Sequence, residues 1–334
     1  MIPFAYSRAT DAPAAVAAVA ADPGAAFLGG GTDLVDRLRL GLVEHALLVD
    51  VSRLPATVEA LPGGGLRIGA AVRTTDLAVH PLLLAHYPVL VEALLSGASS
   101  PQRALATTAG NLLQRTRCVH FLDASAPCGK REPGSGCSAV GRHDRHHALL
   151  GASEHCTATH PSDLAVALVV LDAVVVVLGP EGERRVPVVA LHRLPGAHPE
   201  RDSVLAHGEL VTHVELPPAD AAARCSTYRK VHDRSAQAFS LVSVAAALEV
   251  TAGTVTAVRI GLGGVAPKPW RATLAESVAL GAPATDSTFR AAAAAELAHA
   301  HVRAGSRYKI PMVTGTLVTV LRELARKQTG TGAE

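Results

Sequence analysis

Ala25-Ala26-Phe27-Leu28-Gly29-Gly30-Gly31-Thr32-Asp33-Leu34 passes from four apolar residues through three successive glycines into a hydroxyl, a carboxylate and a leucine. The apolar run 25–28 predicts a short buried strand. The pattern after the glycines predicts a helix over 34–40, stopped by Gly41, and 46–51 predicts a second strand. The unit is therefore strand, glycine turn, helix, strand. Glycines at such a turn let the backbone approach a ligand closely. Outward-pointing N–H groups and the start of a helix would suit a phosphate. The spacing is neither the Gly-Lys-Ser/Thr ending of a phosphate-binding P-loop nor the G-x-G-x-x-G dinucleotide pattern. A tight turn with no ligand is the competing reading.

Working outward, Asp11 is placed to cap a helix over 11–21, with Pro13 tolerated in its first turn. Downstream, 66–72 reads as a strand, Thr74 or Thr75 as the cap of a short helix, and 82–95 as one longer helix. Ala106-Thr107-Thr108-Ala109-Gly110-Asn111-Leu112 is a second run of small residues and hydroxyls, suited either to close approach by a ligand or to ordinary packing. Thr159-His160-Pro161-Ser162-Asp163 opens a helix over 164–171. Strands follow over 173–178 and 209–216, and Pro217-Pro218 marks a break. Beyond it the segments 226–232, 241–250 and 255–261 read as consecutive strands, the last two joined by Thr251-Ala252-Gly253 as an antiparallel pair. Helices are expected over 271–280, 287–303 and 312–326. The predicted fold class is α+β. Residues 223–330 read as a separate C-terminal domain and the last residues as a tail.

Four of the five cysteines, Cys118, Cys128, Cys137 and Cys156, fall in one loop-like insert at spacing C-x9-C-x8-C-x18-C. Clustered cysteine points to a metal or to disulfides. Paired C-x2-C, the zinc-ribbon signature, is missing, and so is a ferredoxin run. An iron–sulfur cluster, a zinc ion with imidazoles drawn from His143, His146, His147, His155 and His160, and unligated thiols or disulfides all stay open at this point. Cys225 stands apart among small apolar residues and reads as a buried thiol. No G-x-S-x-G or H-E-x-x-H motif occurs, so no hydrolytic constellation stands out.

Composition narrows the class further. The chain has 334 residues, of which 49% are apolar and 3% aromatic, with a formal net charge of +2. Few aromatics argue against stacking platforms for single-stranded nucleic acid, and the small net charge gives no general reason to expect nucleic acid or an anionic membrane. No apolar run reaches the roughly 18 residues of a membrane span, so no membrane insertion is expected. No signal peptide is recognisable at Met1-Ile2-Pro3-Phe4-Ala5-Tyr6, which by itself predicts the cytoplasm, where thiols stay reduced.

Taken together, the stretches Phe27–Leu34, Ala106–Leu112, Ser162-Asp163-Leu164, Tyr228-Arg229-Lys230 and Gly261-Leu262-Gly263-Gly264-Val265-Ala266 resemble, in order and spacing, the FAD-binding medium subunits of the molybdenum hydroxylases. That group contains xanthine dehydrogenase, carbon monoxide dehydrogenase and aldehyde oxidoreductase. The likeness runs over essentially the whole chain. Within the family the insert Cys128-Gly129-Lys130-Arg131-Glu132-Pro133-Gly134-Ser135-Gly136-Cys137 is most similar to that of the flavin subunit of the bacterial periplasmic aldehyde oxidoreductases.

The resemblance implies a vanillyl-alcohol-oxidase-type (PCMH-like) FAD-binding domain over 1–222. It would be made of a first subdomain, 1–57, and a second, 58–222, that carries the insert 115–160. A C-terminal three-stranded antiparallel sheet with helices would follow over 223–330, then a tail, 331–334. The resemblance also implies FAD contacts at Phe27, Leu28, Gly29, Gly30, Gly31, Thr32, Asp33 and Leu34. Further FAD contacts would be Thr107, Thr108, Gly110, Asn111, Asp163, Leu210 and Lys230, with Arg229 the alternative to Lys230. Ala109 stands where the family has a glycine. It implies a [4Fe–4S] cluster on Cys118, Cys128, Cys137 and Cys156.

The implied partners are a large molybdenum-cofactor subunit and a small subunit with two [2Fe–2S] clusters, in a heterotrimer that passes electrons from FAD to an external acceptor. Export with a partner bearing a twin-arginine signal would place the assembly in the periplasm. The competing function classes are a zinc or iron–sulfur scaffold without flavin, and a stand-alone flavin oxidase.

Overall fold

The computed structural model describes residues 2–140, 145–233 and 238–329, so the expected tail 331–334 and His143 lie outside the described residues. Three sheets organise the chain. The first is parallel, in the order β1 (Ala5–Arg8), β3 (Leu47–Asp50), β2 (Ala25–Leu28). Parallel neighbours need a crossover, and the helices Ala12–Ala20 and Leu34–Arg39 supply them. Asp11 caps the first helix by accepting from the Ala14 amide at 2.7 Å. Its face of Ala15, Val16 and Val19 packs with Ala25, Val49 and Leu210 into a small core.

The second sheet is antiparallel, in the order β4 (Val58–Ala60), β5 (Leu66–Gly69), β8 (Leu210–Leu216), β6 (Val174–Gly179), β7 (Gly182–Pro187). Val174-Val175-Val176-Val177 favours this strand because β-branched side chains fit a pleated surface. The helix Asp163–Val170 shares a core with this strand, and every one of its residues is buried. Ser162 starts that helix, accepting from the Ala165 amide at 3.0 Å. The region 82–95 is two helices rather than one, Pro81–His86 and Pro88–Ser96. Pro88 offers no N–H and pushes Tyr87 out of helical geometry, so the chain turns there.

The third sheet runs β12 (Trp270–Arg271), β11 (Thr254–Gly263), β10 (Val242–Thr251), β9 (Ser226–Val231), all antiparallel. The three long strands are those expected, and β12 adds a two-residue edge. The helices Thr273–Ala279, Asp286–Leu297 and Lys309–Thr329 pack with this sheet around a core that includes Leu248, Ile260, Phe289 and Leu321.

Lys309, at the start of the last helix, is fully buried and ties two distant segments together. Its ammonium donates to the carbonyls of Gly264 at 2.7 Å and His147 at 3.0 Å. Burial pushes its pKa down to about 7. A neutral amine keeps two N–H groups, enough for both carbonyls. Below pH 7 the lysine is charged folded and unfolded, and above about 10.4 it is neutral in both. Between those limits the unfolded chain binds more protons, so this group makes stability rise with pH, by at most about 1.4 kcal/mol per pH unit. Urea melts of wild type and Lys309→Met at pH 7 and pH 9 check this. The expected result is a larger pH dependence in wild type.

Candidate functional site

The glycine turn after β2 and the Thr107 loop close on each other. Gly31 has φ +77°, a left-handed conformation that glycine adopts at no steric cost. A Cβ on Gly30 would stand 1.9 Å from the Leu105 carbonyl oxygen, so only glycine lets these two backbones meet. That carbonyl also accepts from the Arg73 guanidinium. Thr107 caps the short helix Thr108–Leu112, its hydroxyl accepting from the Gly110 amide at 3.1 Å. Between these loops and the face of β8 lies a cavity of about 790 Å³, within the size range of small-molecule and cofactor sites. Phe27, Gly29 to Leu34, Thr107, Gly110 and Leu210, which the resemblance assigns to FAD, line it.

The positive charge in this cavity comes from side chains that sequence reading missed, and it stands beside the carboxylates of Asp11, Asp33, Glu183 and Glu209. Arg37 and Arg115 line it, with His45 and His213. Asp33 lies between two cations, Arg37 at 2.9 Å and Arg117 at 3.2 Å. Burial pushes the Arg37 guanidinium down and Asp33 opposes that, so it stays charged. Arg115 donates to Asp202 at 2.6 Å and to the Glu200 carbonyl at 3.0 Å, and stacks over Phe121 at 4.9 Å. Asp202 also pairs with the ammonium of Lys130. Burial works against its charge, but Arg115 and Lys130 outweigh burial and hold its carboxyl below the usual range. Anion attraction here therefore rests on guanidinium groups. The helix Leu34–Arg39 is only six residues long, and Asp33 at its start makes no side-chain cap bond. The Asp33–Arg37 spacing of i,i+4 was a readable signal; nothing local announced Arg115.

Five of the residues assigned to FAD by resemblance do not line the cavity. Leu28 belongs to β2. Its carbonyl accepts from Val51, and its side chain is not among the lining groups. Thr108 turns its hydroxyl back to the Val72 carbonyl at 3.0 Å. Asn111 accepts from the Ser162 hydroxyl at 2.6 Å. Asp163 and Lys230 form a buried ion pair at 2.9 Å, each side chain 7% exposed. Lys230 also donates to the Ser96 carbonyl at 3.1 Å, and the Tyr228 hydroxyl donates to Asp163. Burial, then Asp163, pushes the Tyr228 phenol well up. These polar atoms are committed to one another, and they brace the frame behind the Thr107 loop. Alternation along β9 turns Lys230 inward and Arg229 outward to Glu323 at 2.7 Å.

The four insert cysteines line a second, much smaller pocket, with His120, Lys130 and His155. Cys118 precedes the helix Val119–Leu122, and Cys128 and Cys137 face each other across an antiparallel bridge. Arg131 fastens the insert through the carbonyls of His120 at 3.0 Å and Phe121 at 2.8 Å. All five cysteines are free thiols. Burial pushes the Cys118 thiol up and that of Cys156 to about 11. Of the imidazoles considered as ligands, His147 Nε2 lies 3.6 Å from the Cys118 sulfur, whereas His160 stacks edge-on with His192 at 4.4 Å. Among the described residues no three His, Cys, Asp or Glu side chains are drawn into a geometry that would hold an ion. Cys225 lies elsewhere, beside Gln328 and Leu324. No helix among the described residues is long and apolar enough to cross a membrane.

Comparison with known proteins agrees with this geometry. A family model described as the FAD binding domain in molybdopterin dehydrogenase matches residues 2–219. One described as the CO dehydrogenase flavoprotein C-terminal domain matches 226–324. The chain is 44% identical over 328 residues to the aldehyde oxidoreductase FAD-binding subunit PaoB of Escherichia coli, covering 97% of this chain and 99% of that one. It is 26% identical to the putative xanthine dehydrogenase FAD-binding subunit XdhB of the same species, over 87% of this chain and 84% of that one. Among solved structures, quinoline 2-oxidoreductase from Pseudomonas putida superimposes with a TM-score of 0.75 at 21% identity, covering 98% of both chains. Carbon monoxide dehydrogenase from Hydrogenophaga pseudoflava does so with a TM-score of 0.74 at 23% identity, over 96% of this chain and 97% of that one. These last two likenesses establish a common fold.

Proposed function

The chain belongs to the FAD-binding subunits of the molybdopterin dehydrogenases, and from that premise we propose that it is the electron-transferring flavin subunit of a molybdenum-cofactor aldehyde oxidoreductase. The observation that carries this reading is the large cavity walled by the glycine turn and the Thr107 loop. Bound FAD supplies a redox centre that accepts electrons singly and releases them singly or in pairs. The chain's own residues bind and orient it. Gly29 to Gly31 would let the backbone approach the ligand, and Arg37 and Arg115, which line the same cavity, would hold its anionic diphosphate. Phe27 and Leu210 offer apolar walls that exclude water. No proton transfer is assigned to any side chain.

The proposed partners are a large molybdenum-cofactor subunit and a small subunit with two [2Fe–2S] clusters, with residues 223–330 forming a separate domain of this subunit. The compartment follows the partners: cytoplasmic when none carries an export signal, periplasmic when one carries a twin-arginine signal. Co-purification tests the whole. The expected result is a yellow three-chain complex that loses its flavin absorption on adding aldehyde, while the isolated chain does not react. Turnover of aldehyde by the isolated chain would instead make it a stand-alone oxidase, and a colourless complex would leave it a scaffold without flavin.

We further propose that Cys118, Cys128, Cys137 and Cys156 hold a [4Fe–4S] cluster. Support comes from four free thiols facing one pocket, a donor set suited to soft metal centres. Binding would have to displace protons that burial now holds on at least Cys118 and Cys156, and draw the sulfurs together. Cys128→Ser is expected to abolish bound iron and acid-labile sulfide, whereas Cys225→Ser leaves both unchanged. Zinc in place of iron in the wild type would overturn the assignment.

A further inference from the structure

Asp202 stands between the two pockets. It accepts from Arg115, which lines the large cavity, and from Lys130, which lines the thiol pocket. Both cations are held from other sides too. The Lys130 ammonium donates to the Pro199 carbonyl at 2.8 Å and is itself 6% exposed. Arg115 reaches the Lys130 carbonyl at 3.3 Å, and its guanidinium covers Phe121, a residue of the thiol pocket. The backbone of Asp202 is fixed independently of its side chain, since its carbonyl accepts from the Arg193 amide at 2.9 Å. A single carboxylate thus serves two cations that face two different sites.

We infer that Lys130 and Asp202 are positioning residues that couple the thiol pocket to the flavin cavity, by sharing one carboxylate between Lys130 and Arg115. The inference rests on the FAD reading above. With Lys130 present, Asp202 divides its charge and Arg115 keeps part of its own for the diphosphate of the ligand. Without Lys130, the carboxylate closes fully on Arg115 and neutralises it. Without the carboxylate, Arg115 loses its anchor and its orientation. Neither Lys130 nor Asp202 lines the flavin cavity, and the side chain through which Asp202 makes contact with it is Arg115.

The test uses the purified complex and follows release of FAD after dilution by the rise in its fluorescence, together with iron content. Lys130→Met and Asp202→Asn are each expected to speed release about tenfold. In Lys130→Met/Asp202→Asn, release should be no faster than in Asp202→Asn alone, because the shared carboxylate is already gone. Lys130→Arg should restore near-wild-type release, which a merely structural defect would not predict. Release from Lys130→Met at the wild-type rate, or a double variant whose acceleration is the product of the two singles, overturns the coupling. If Asp202→Asn does not fold, the contrast between Lys130→Met and Lys130→Arg decides the matter alone. A wild-type complex without FAD would instead sink the flavin reading, a separate outcome.

Discussion

Gly30→Ala is expected to yield a protein with less than about a tenth of its FAD and a markedly lower melting temperature. The added methyl would sit 1.9 Å from the Leu105 carbonyl oxygen, 2.7 Å from its carbon and 3.0 Å from the Ala106 Cα. All three are backbone atoms, so no rotamer change relieves the clash. The segment carrying Leu105 must move, and it is pinned by Arg73 and by the Thr74 amide on the Ala106 carbonyl at 3.0 Å. Overpacking of this kind costs on the order of 3 kcal/mol or more. Any outward shift also opens the junction between the two loops that wall the cavity. Gly29→Ala is the control, because its methyl would meet the Thr107 hydroxyl at 2.8 Å, a side-chain atom. Thr107 can rotate away at the loss of its helix cap, about 1 kcal/mol. Flavin stoichiometry and thermal melts of the two variants are the measurements; equal effects would show that backbone approach at Gly30 is not what matters.

Lys230→Met is expected to destabilise the chain by about 3–5 kcal/mol, the usual result of removing one partner from a buried ion pair. Asp163 would keep the Tyr228 hydroxyl but lose its cation, and the Ser96 carbonyl would lose its donor. The neighbouring Arg229→Met should cost under about 1 kcal/mol, because Arg229 and Glu323 meet in solvent. Two adjacent residues on one strand therefore separate buried from exposed charge. Replacing both partners, as in Asp163→Leu/Lys230→Met, should cost less than Lys230→Met alone, since no unpaired charge stays inside. Urea unfolding of the four proteins checks the order, and a Lys230→Met no worse than Arg229→Met would remove the argument.

How much of this was readable in the sequence follows from the range of each interaction. Asp11 and Ser162 cap helices three residues ahead, and the glycine turn after β2 is local, so these elements fall where the pattern puts them. Pro88 was also local, yet the apolar spacing across 82–95 masked it. β1 carries a weak pattern and owes its pairing to β3, far along the chain, whereas β7, a hairpin neighbour of β6, and the two-residue β12, beside β11, pair locally and are missed because their own patterns are weak. The site divides in the same way. The glycines that line the cavity announce themselves, but Arg115 meets Asp202 across 87 positions, and no local spacing encodes that. Resemblance assigns Asp163 and Lys230 to the flavin, and their pairing with each other across 67 positions has no local signal.

The tie from Lys309 to the His147 carbonyl spans 162 positions. Chains emerge from the ribosome at roughly 5–20 residues per second, so Lys309 appears on the order of 10–30 s after His147. For most of that interval the cysteine insert has been synthesised but lacks its clasp to the last helix. The insert's tie to the last helix can therefore form only after everything between them has been made, later than its fastenings through Arg131 and through Lys130 to Asp202.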